Sequence, residues 1–71
     1  MQKRSFTIAR HRTSISLEEE FWETLESISL EQNTSIPKLL EIIEKKSGRQ
    51  NLTSAIRVFC LSHLNDIIKK R

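Results

Sequence analysis

The 71-residue chain contains one glycine, one proline and one cysteine, and it has no tyrosine. A single cysteine cannot form an intrachain disulfide, so the sequence predicts a reduced, cytoplasmic protein. No apolar run reaches the length of a membrane-spanning helix. The scarcity of glycine and proline favours helices joined by short turns, and it excludes a glycine-rich phosphate loop.

The sequence also lacks a recognisable arrangement of catalytic or metal-binding residues. His11 and His63 lie far apart, and no carboxylate cluster stands at ligand spacing, so no metal site is expected. No nucleophile, base and orienting group are recognisably spaced, so we expect no enzyme, no cofactor and no small-molecule ligand. Cys60 is expected to be a small buried hydrophobic residue.

Charge is distributed unevenly, although the net charge is only +3. Residues 1–12 contain four basic residues and no acid, whereas residues 13–37 contain six glutamates and no base. This polarity is expected when one face of a protein meets a polyanion, but a basic tail is often only a solvated tail. Charge alone leaves both interpretations open.

One segment, residues 12–17, alternates like a half-buried strand. Ile15 and Leu17 fall on one side with Thr13, and the other side carries Arg12, Ser14 and Ser16. A lone strand has no ladder partner in its own chain, so the sequence predicts that two copies pair their strands across a two-fold axis. Residues 1–11 are expected to form a basic, flexible arm, with a second extended segment as the alternative, and residues 12–71 a single domain.

Two helices follow the predicted strand. The first should run from Leu17 or Glu18 to Gln32 and bury one stripe; the stripe consists of Leu17, Phe21, Leu25 and Ile28. Ser16 either caps this helix or faces outward from the strand, and the sequence leaves both open. The second helix should begin at Ser35 or Ile36 and stop at Gly48; its buried stripe consists of Ile36, Leu39, Leu40 and Ile43.

A third helix is predicted from Leu52 to Lys69, with Asn51 as its N-cap. Its apolar residues cover most of the circumference, which is typical of a helix buried on several sides. In a domain this small, that pattern indicates contact with a second subunit. The basic end, residues 69–71, is expected to close the helix.

The order strand, helix, turn, helix over residues 12–46 resembles the ribbon-helix-helix repressors of the Arc and MetJ type. The whole chain, with HRTSISLEEEFW early and NLTSAIRVF late, is most similar to a ribbon-helix-helix subfamily with an added C-terminal helix. The resemblance implies a mainly α fold: one N-terminal strand pairs with the strand of its dimer mate into an antiparallel ribbon, and three helices follow.

The resemblance also implies roles for individual residues. The residues expected to contact DNA bases are Arg12, Ser14 and Ser16. Those expected to contact phosphates are Ser35, Ile36, Lys38, Arg10 and Arg4. Those expected in the core of the dimer are Ile15, Leu17, Phe21, Leu25, Leu39, Ile43 and Phe59.

The function expected from this pattern is that of a homodimeric, sequence-specific DNA-binding protein, a transcriptional repressor or regulator. Its partners would be double-stranded DNA and a second copy of itself, with higher oligomers forming through the third helix. The alternative is a protein–protein interaction or antitoxin-like module that uses the same dimeric fold.

Overall fold

A computed structural model describes residues 1–48 and 50–69 of the chain. Within these residues a two-stranded antiparallel sheet is followed by three helices. The elements are β1 (Gln2–Ile8), β2 (His11–Leu17), α1 (Glu19–Glu31), α2 (Ile36–Ser47) and α3 (Leu52–Lys69). Lys70 and Arg71, which were expected to help close the third helix, lie outside the described residues.

The sheet is a hairpin formed within one chain. β1 pairs with β2 from Gln2 opposite Leu17 to Ile8 opposite His11. The expectation of one N-terminal strand without a partner in its own chain is therefore wrong, and residues 2–8 are a strand where a flexible arm was favoured. The two-residue turn pairs even-numbered positions of β1 with odd-numbered positions of β2. Phe6 and Ile8 of β1 are therefore on the same face as Ile15 and Leu17 of β2, although their positions differ in parity.

The turn itself explains why the hairpin is hard to predict. Ala9 and Arg10 have φ angles of 50° and 70°, the left-handed conformation that a two-residue type I′ turn needs at both positions. Asn-Gly or Asp-Gly is the usual sequence signal for such a turn, and this chain has neither pair here. The tertiary contacts of β1 therefore determine the hairpin in place of a local turn preference.

The core is assembled inside one chain. Ile15 and Leu17 are 1% and 0% exposed, so no second copy is needed to cover them, contrary to the argument from the lone strand. Most residues expected in a dimer core are buried in this single-chain core, namely Ile15, Leu17, Leu25, Leu39 and Ile43. Phe21 and Phe59 are partly buried and pack against it.

The first helix begins two residues later than an N-cap at Ser16 would place it. Glu18 is the N-cap of α1 and makes no side-chain capping hydrogen bond, so of the two roles left open for Ser16, capping is excluded. Ser16 is instead an exposed residue of β2. The buried residues of α1 are Trp22, Leu25 and Ile28. Trp22 is therefore fully buried where the sequence predicted burial of Phe21, which is only partly buried.

The second and third helices differ in how closely they follow expectation. The predicted start of α2 is confirmed: the helix begins at Ile36 with Ser35 as its N-cap, and Ser35 Oγ accepts a hydrogen bond of 3.3 Å from the Lys38 backbone N–H. Gly48 ends α2 with a φ of 81°. By contrast, α3 is covered on one side only: its buried residues are Leu52, Ile56 and Cys60, and its exposed apolar residues are Val58, Leu61, Leu64, Ile67 and Ile68.

Candidate nucleic-acid interface

One face of the hairpin points away from the core and is here called the outer face. It consists of six exposed polar residues: Lys3, Ser5 and Thr7 on β1, and Arg12, Ser14 and Ser16 on β2. Side chains alternate across a strand, so the apolar residues of both strands lie on the other side. Residues 1–17 contain no aspartate or glutamate, and the outer face is therefore purely basic and hydroxylic.

The register arranges these six residues in three cross-strand pairs. Lys3 lies opposite Ser16, Ser5 opposite Ser14, and Thr7 opposite Arg12. The Oγ atoms of Ser5 and Ser14 are 3.0 Å apart and share a hydrogen bond across the middle of the face. The three residues predicted to contact bases are thus brought together on one surface, and β1 adds three more.

Sequence reasoning missed these three β1 residues. The signal was the alternation of Lys3, Ser5 and Thr7 with larger residues such as Phe6 and Ile8. The apolar residues Phe6 and Ile8 are even-numbered whereas Ile15 and Leu17 are odd-numbered, so the two segments do not look like one continuous pattern. Allowing for a two-residue turn would have aligned the two patterns.

Arg4 lies on the inner face, away from the outer residues. Its Nη2 is 3.1 Å from Glu26 Oε1, and its guanidinium carbon stands 4.7 Å from the centroid of the Trp22 ring. An arginine that is ion-paired and stacked on an aromatic ring fastens β1 to α1. This placement gives Arg4 a structural role and counts against its expected phosphate contact.

Trp22 is the main anchor of β1. Its indole N–H donates a hydrogen bond of 2.9 Å to the Gln2 carbonyl oxygen. Its ring centroid is 5.8 Å from that of Phe6, within the range of favourable aromatic pairs. Since Trp22 is 1% exposed, β1 forms one wall of its pocket, and the outer face has a rigid support.

The remaining residues expected at phosphates lie at two other places. Arg10 is exposed in the hairpin turn. Ser35 and Lys38 are exposed at the beginning of α2, and Ile36 is partly buried there. A helix N-terminus presents unpaired backbone N–H groups and a positive dipole end, both of which suit an anion. Pro37 removes one of these donors.

The six glutamates from Glu18 to Glu31 belong to α1 and its N-cap. Glu18 binds Arg57 of α3 through two hydrogen bonds of 3.1 and 3.3 Å. A hydrogen bond from its own backbone amide, with further help from Arg57, holds the pKa of Glu18 below its ordinary value. The groove between α1 and α3 is lined by Glu20, Glu23 and Glu31 among others, and this negative lining disfavours a DNA contact there.

The described part of the chain contains no cluster of three or more histidine, cysteine, aspartate or glutamate residues arranged to hold a metal ion. Cys60 is buried, and burial raises the pKa of its thiol to about 11.

Among the residues that the structure describes, no helix is long and apolar enough to cross a membrane. The hairpin face therefore remains the site with the clearest chemistry.

Comparison with known protein families matches the ribbon-helix-helix domain over residues 1–64. No curated protein and no solved structure shows a significant match. Because the match covers most of the chain, this protein belongs to the ribbon-helix-helix family. The family is one of DNA-binding regulators, typically non-enzymatic, whose domains generally bind DNA as dimers.

Proposed function

We propose that this protein is a sequence-specific DNA-binding regulator, a transcriptional repressor or regulator, that lays the outer face of its hairpin in the major groove. The observation that carries this proposal is the composition of that face, which has two cations, four hydroxyls and no carboxylate. The glutamates of the N-terminal half lie on α1 and its N-cap, so the positive surface is not neutralised. A two-stranded ribbon is one of the two elements that the major groove admits.

Base recognition is assigned first to Arg12. Its guanidinium offers a donor fork that suits guanine O6 and N7, and such a contact is worth roughly 1–3 kcal/mol of discrimination against a wrong base. Ser14 and Ser16 can donate or accept, so they recognise bases less strictly. All three side chains are exposed on one strand and directed to the same side.

Phosphate binding is assigned to Arg10 and to the N-terminus of α2. Ser35, Ile36 and Lys38 would supply backbone N–H groups, the helix dipole and one ammonium group. Ser35 Oγ already accepts from the Lys38 backbone N–H, so its hydroxyl hydrogen remains as the donor to a phosphate oxygen. These contacts position the hairpin and carry no sequence information.

We further propose that the protein acts as a homodimer, as domains of this family generally do. The side of α3 opposite its buried residues carries Val58, Leu61 and Ile68, which are 61%, 57% and 69% exposed. Ser54 and Asn65 fall on the same side at helical spacing, so this stripe has no charge. An uncharged apolar stripe suits a second copy of itself better than a charged partner.

The DNA-binding experiment measures gel retardation of duplex DNA across a salt series. The logarithm of the binding constant should fall linearly with the logarithm of salt concentration, because phosphate contacts release counterions. Arg12→Ala should weaken binding and relax discrimination at a base position of a selected site. Lys45→Ala removes the same charge from an exposed position on α2 and should preserve base preference. Absence of retardation at low salt would refute the proposal.

The second candidate is a protein-interaction or antitoxin-like module. The same exposed apolar stripe on α3 favours it, since large exposed apolar patches mark interaction sites. Sedimentation tests the dimer that both candidates share: Leu61→Glu should convert dimer to monomer, whereas the control Gln50→Glu should not. A wild-type chain that is dimeric and does not retard DNA would favour the second candidate.

A further inference from the structure

One edge of β2 carries no neighbouring strand in the part of the chain that the structure describes. The sheet consists of β1 and β2 alone, and the two-residue turn makes Ile8 and His11 its first hydrogen-bonded pair. Such pairs alternate along an antiparallel ladder, so every second residue of β2 directs its backbone N–H and C=O groups away from β1. These residues are Arg12, Ser14 and Ser16, whose side chains also belong to the outer face.

This open edge suits pairing with β2 of a second copy. The backbone groups of an edge strand are a ready template for another strand, and domains of this family generally bind DNA as dimers. Residues 12–17 also carry the resemblance to the strand that ribbon-helix-helix chains share between two copies. A dimer built on this edge has four strands, with β2 of each copy in the middle and β1 of each copy outside.

A sheet of four strands is wider than the major groove. Neighbouring strands lie about 4.8 Å apart, so the two outermost strands are separated by about 14 Å, whereas the groove is about 12 Å wide. The two middle strands therefore face the base edges at the floor of the groove. The two β1 strands lie beside its walls, which are formed by the phosphate backbones.

The outward side chains of β1 suit a phosphate better than a base. Lys3 is exposed, and its ammonium is a compact charge on a flexible stem, whereas the planar fork of Arg12 matches guanine. Arg4, the other cation of β1, is held by Glu26 on the inner face. Residues 1–17 contain no acid that would repel a phosphate.

We propose that β1 of each copy is a phosphate-binding flank of the shared ribbon, in which Lys3 contacts the DNA backbone. The proposal rests on the DNA-binding function above, and it adds a row of residues that sequence reasoning did not assign. Ser5 and Thr7 are exposed beside Lys3 and offer hydroxyl donors to the same backbone. The two strands then have different tasks: Arg12 on β2 selects a base, and Lys3 on β1 positions the sheet.

The test uses the full chain and a duplex selected from a random pool by the wild-type protein. Binding of Lys3→Ala and Arg12→Ala is measured across a salt series, on that duplex and on a panel in which each base pair is replaced in turn. Lys3→Ala should weaken every duplex by the same factor and lower the salt slope by about one for each copy bound. Lys3→Arg should restore the slope, and Lys45→Ala should leave it unchanged.

The outcomes separate this inference from the proposed function. If Lys3→Ala changes base preference, Lys3 reads a base, and the inference is overturned although DNA recognition stands. If Lys3→Ala has the same affinity and salt slope as Lys45→Ala, β1 does not contact the backbone, and the inference is again overturned. If Arg12→Ala leaves base preference unchanged, or if no site can be selected, the proposed function itself fails. Circular dichroism of each variant establishes that these exposed substitutions leave the fold intact.

Discussion

The indole N–H of Trp22 donates to the Gln2 carbonyl oxygen at 2.9 Å, which joins the first helix to the first residue of β1. The Arg4 guanidinium lies over the same ring and reaches Glu26 on the same helix. These contacts keep β1 beside β2, so the outer face has two rows of side chains. By holding β1 in place, the buried Trp22 ring determines which side chains are presented on the outer face.

Trp22→Phe should destabilise the protein by about 1–3 kcal/mol, because the Gln2 carbonyl loses its donor while most of the ring is kept. Urea unfolding followed by circular dichroism measures the change. Gln2→Ala retains the backbone carbonyl and serves as the control, with stability close to that of wild type. Equal stability of Trp22→Phe and wild type would contradict the anchoring role.

Arg10→Gly should stabilise the folded state by about 1 kcal/mol, because Arg10 has a φ of 70° and glycine adopts that conformation without a Cβ clash. The same substitution in a helix, Lys45→Gly, should destabilise by about 1 kcal/mol. Arg10→Gly should nevertheless bind DNA more weakly, with a salt slope reduced by about one if Arg10 contacts a phosphate. A loss of stability would argue against strain in the turn.

Glu18→Gln should reduce stability at neutral pH, and its difference from wild type should shrink in acid. The pKa of Glu18 is lowered in the folded state by its backbone hydrogen bond, with help from Arg57. The stabilisation is therefore present above the unfolded-state pKa of about 4.3, and it is lost as the pH falls through the folded-state pKa. Thermal midpoints across this range, with Glu23→Gln as the matched control, provide the measurement. A difference independent of pH would refute the assignment.

Cys60 should react slowly with a thiol reagent such as a disulfide dye at pH near 8 and rapidly in denaturant. Burial raises the pKa of its thiol to about 11, and the thiolate is the reactive species. The Sγ atom also lies 3.9 Å from the Phe21 carbonyl oxygen, beneath the first helix. Fast labelling of the native protein would show that α3 separates readily from α1.

The second helix could be predicted closely because its signals are local. A serine cap, a proline in the first turn and a terminal glycine act within a few residues of where they stand, and Ser35 and Gly48 both appear as expected. The strand over residues 12–17 was also predicted, since period-two alternation is a local signal. The order of these elements gave the resemblance to the family, and the family match over residues 1–64 confirms it.

The hairpin and the single-chain core could not be predicted in the same way. β1 depends on contacts with Trp22, which lies some twenty residues away in sequence, and its turn lacks the usual residues. Without β1, a strand over residues 12–17 has no partner in its own chain, so burial of Ile15 and Leu17 requires a second chain. The hairpin and the single-chain core both depend on contacts between residues that are distant in sequence, and local sequence patterns do not reveal such contacts.

Trp22 is the only tryptophan in the chain, and it is enclosed between the helix that carries it and the strand that it anchors. Its emission spectrum should therefore register any opening of that strand, without an attached dye. Stopped-flow mixing with DNA could then reveal whether the hairpin docks as a rigid body or loosens first.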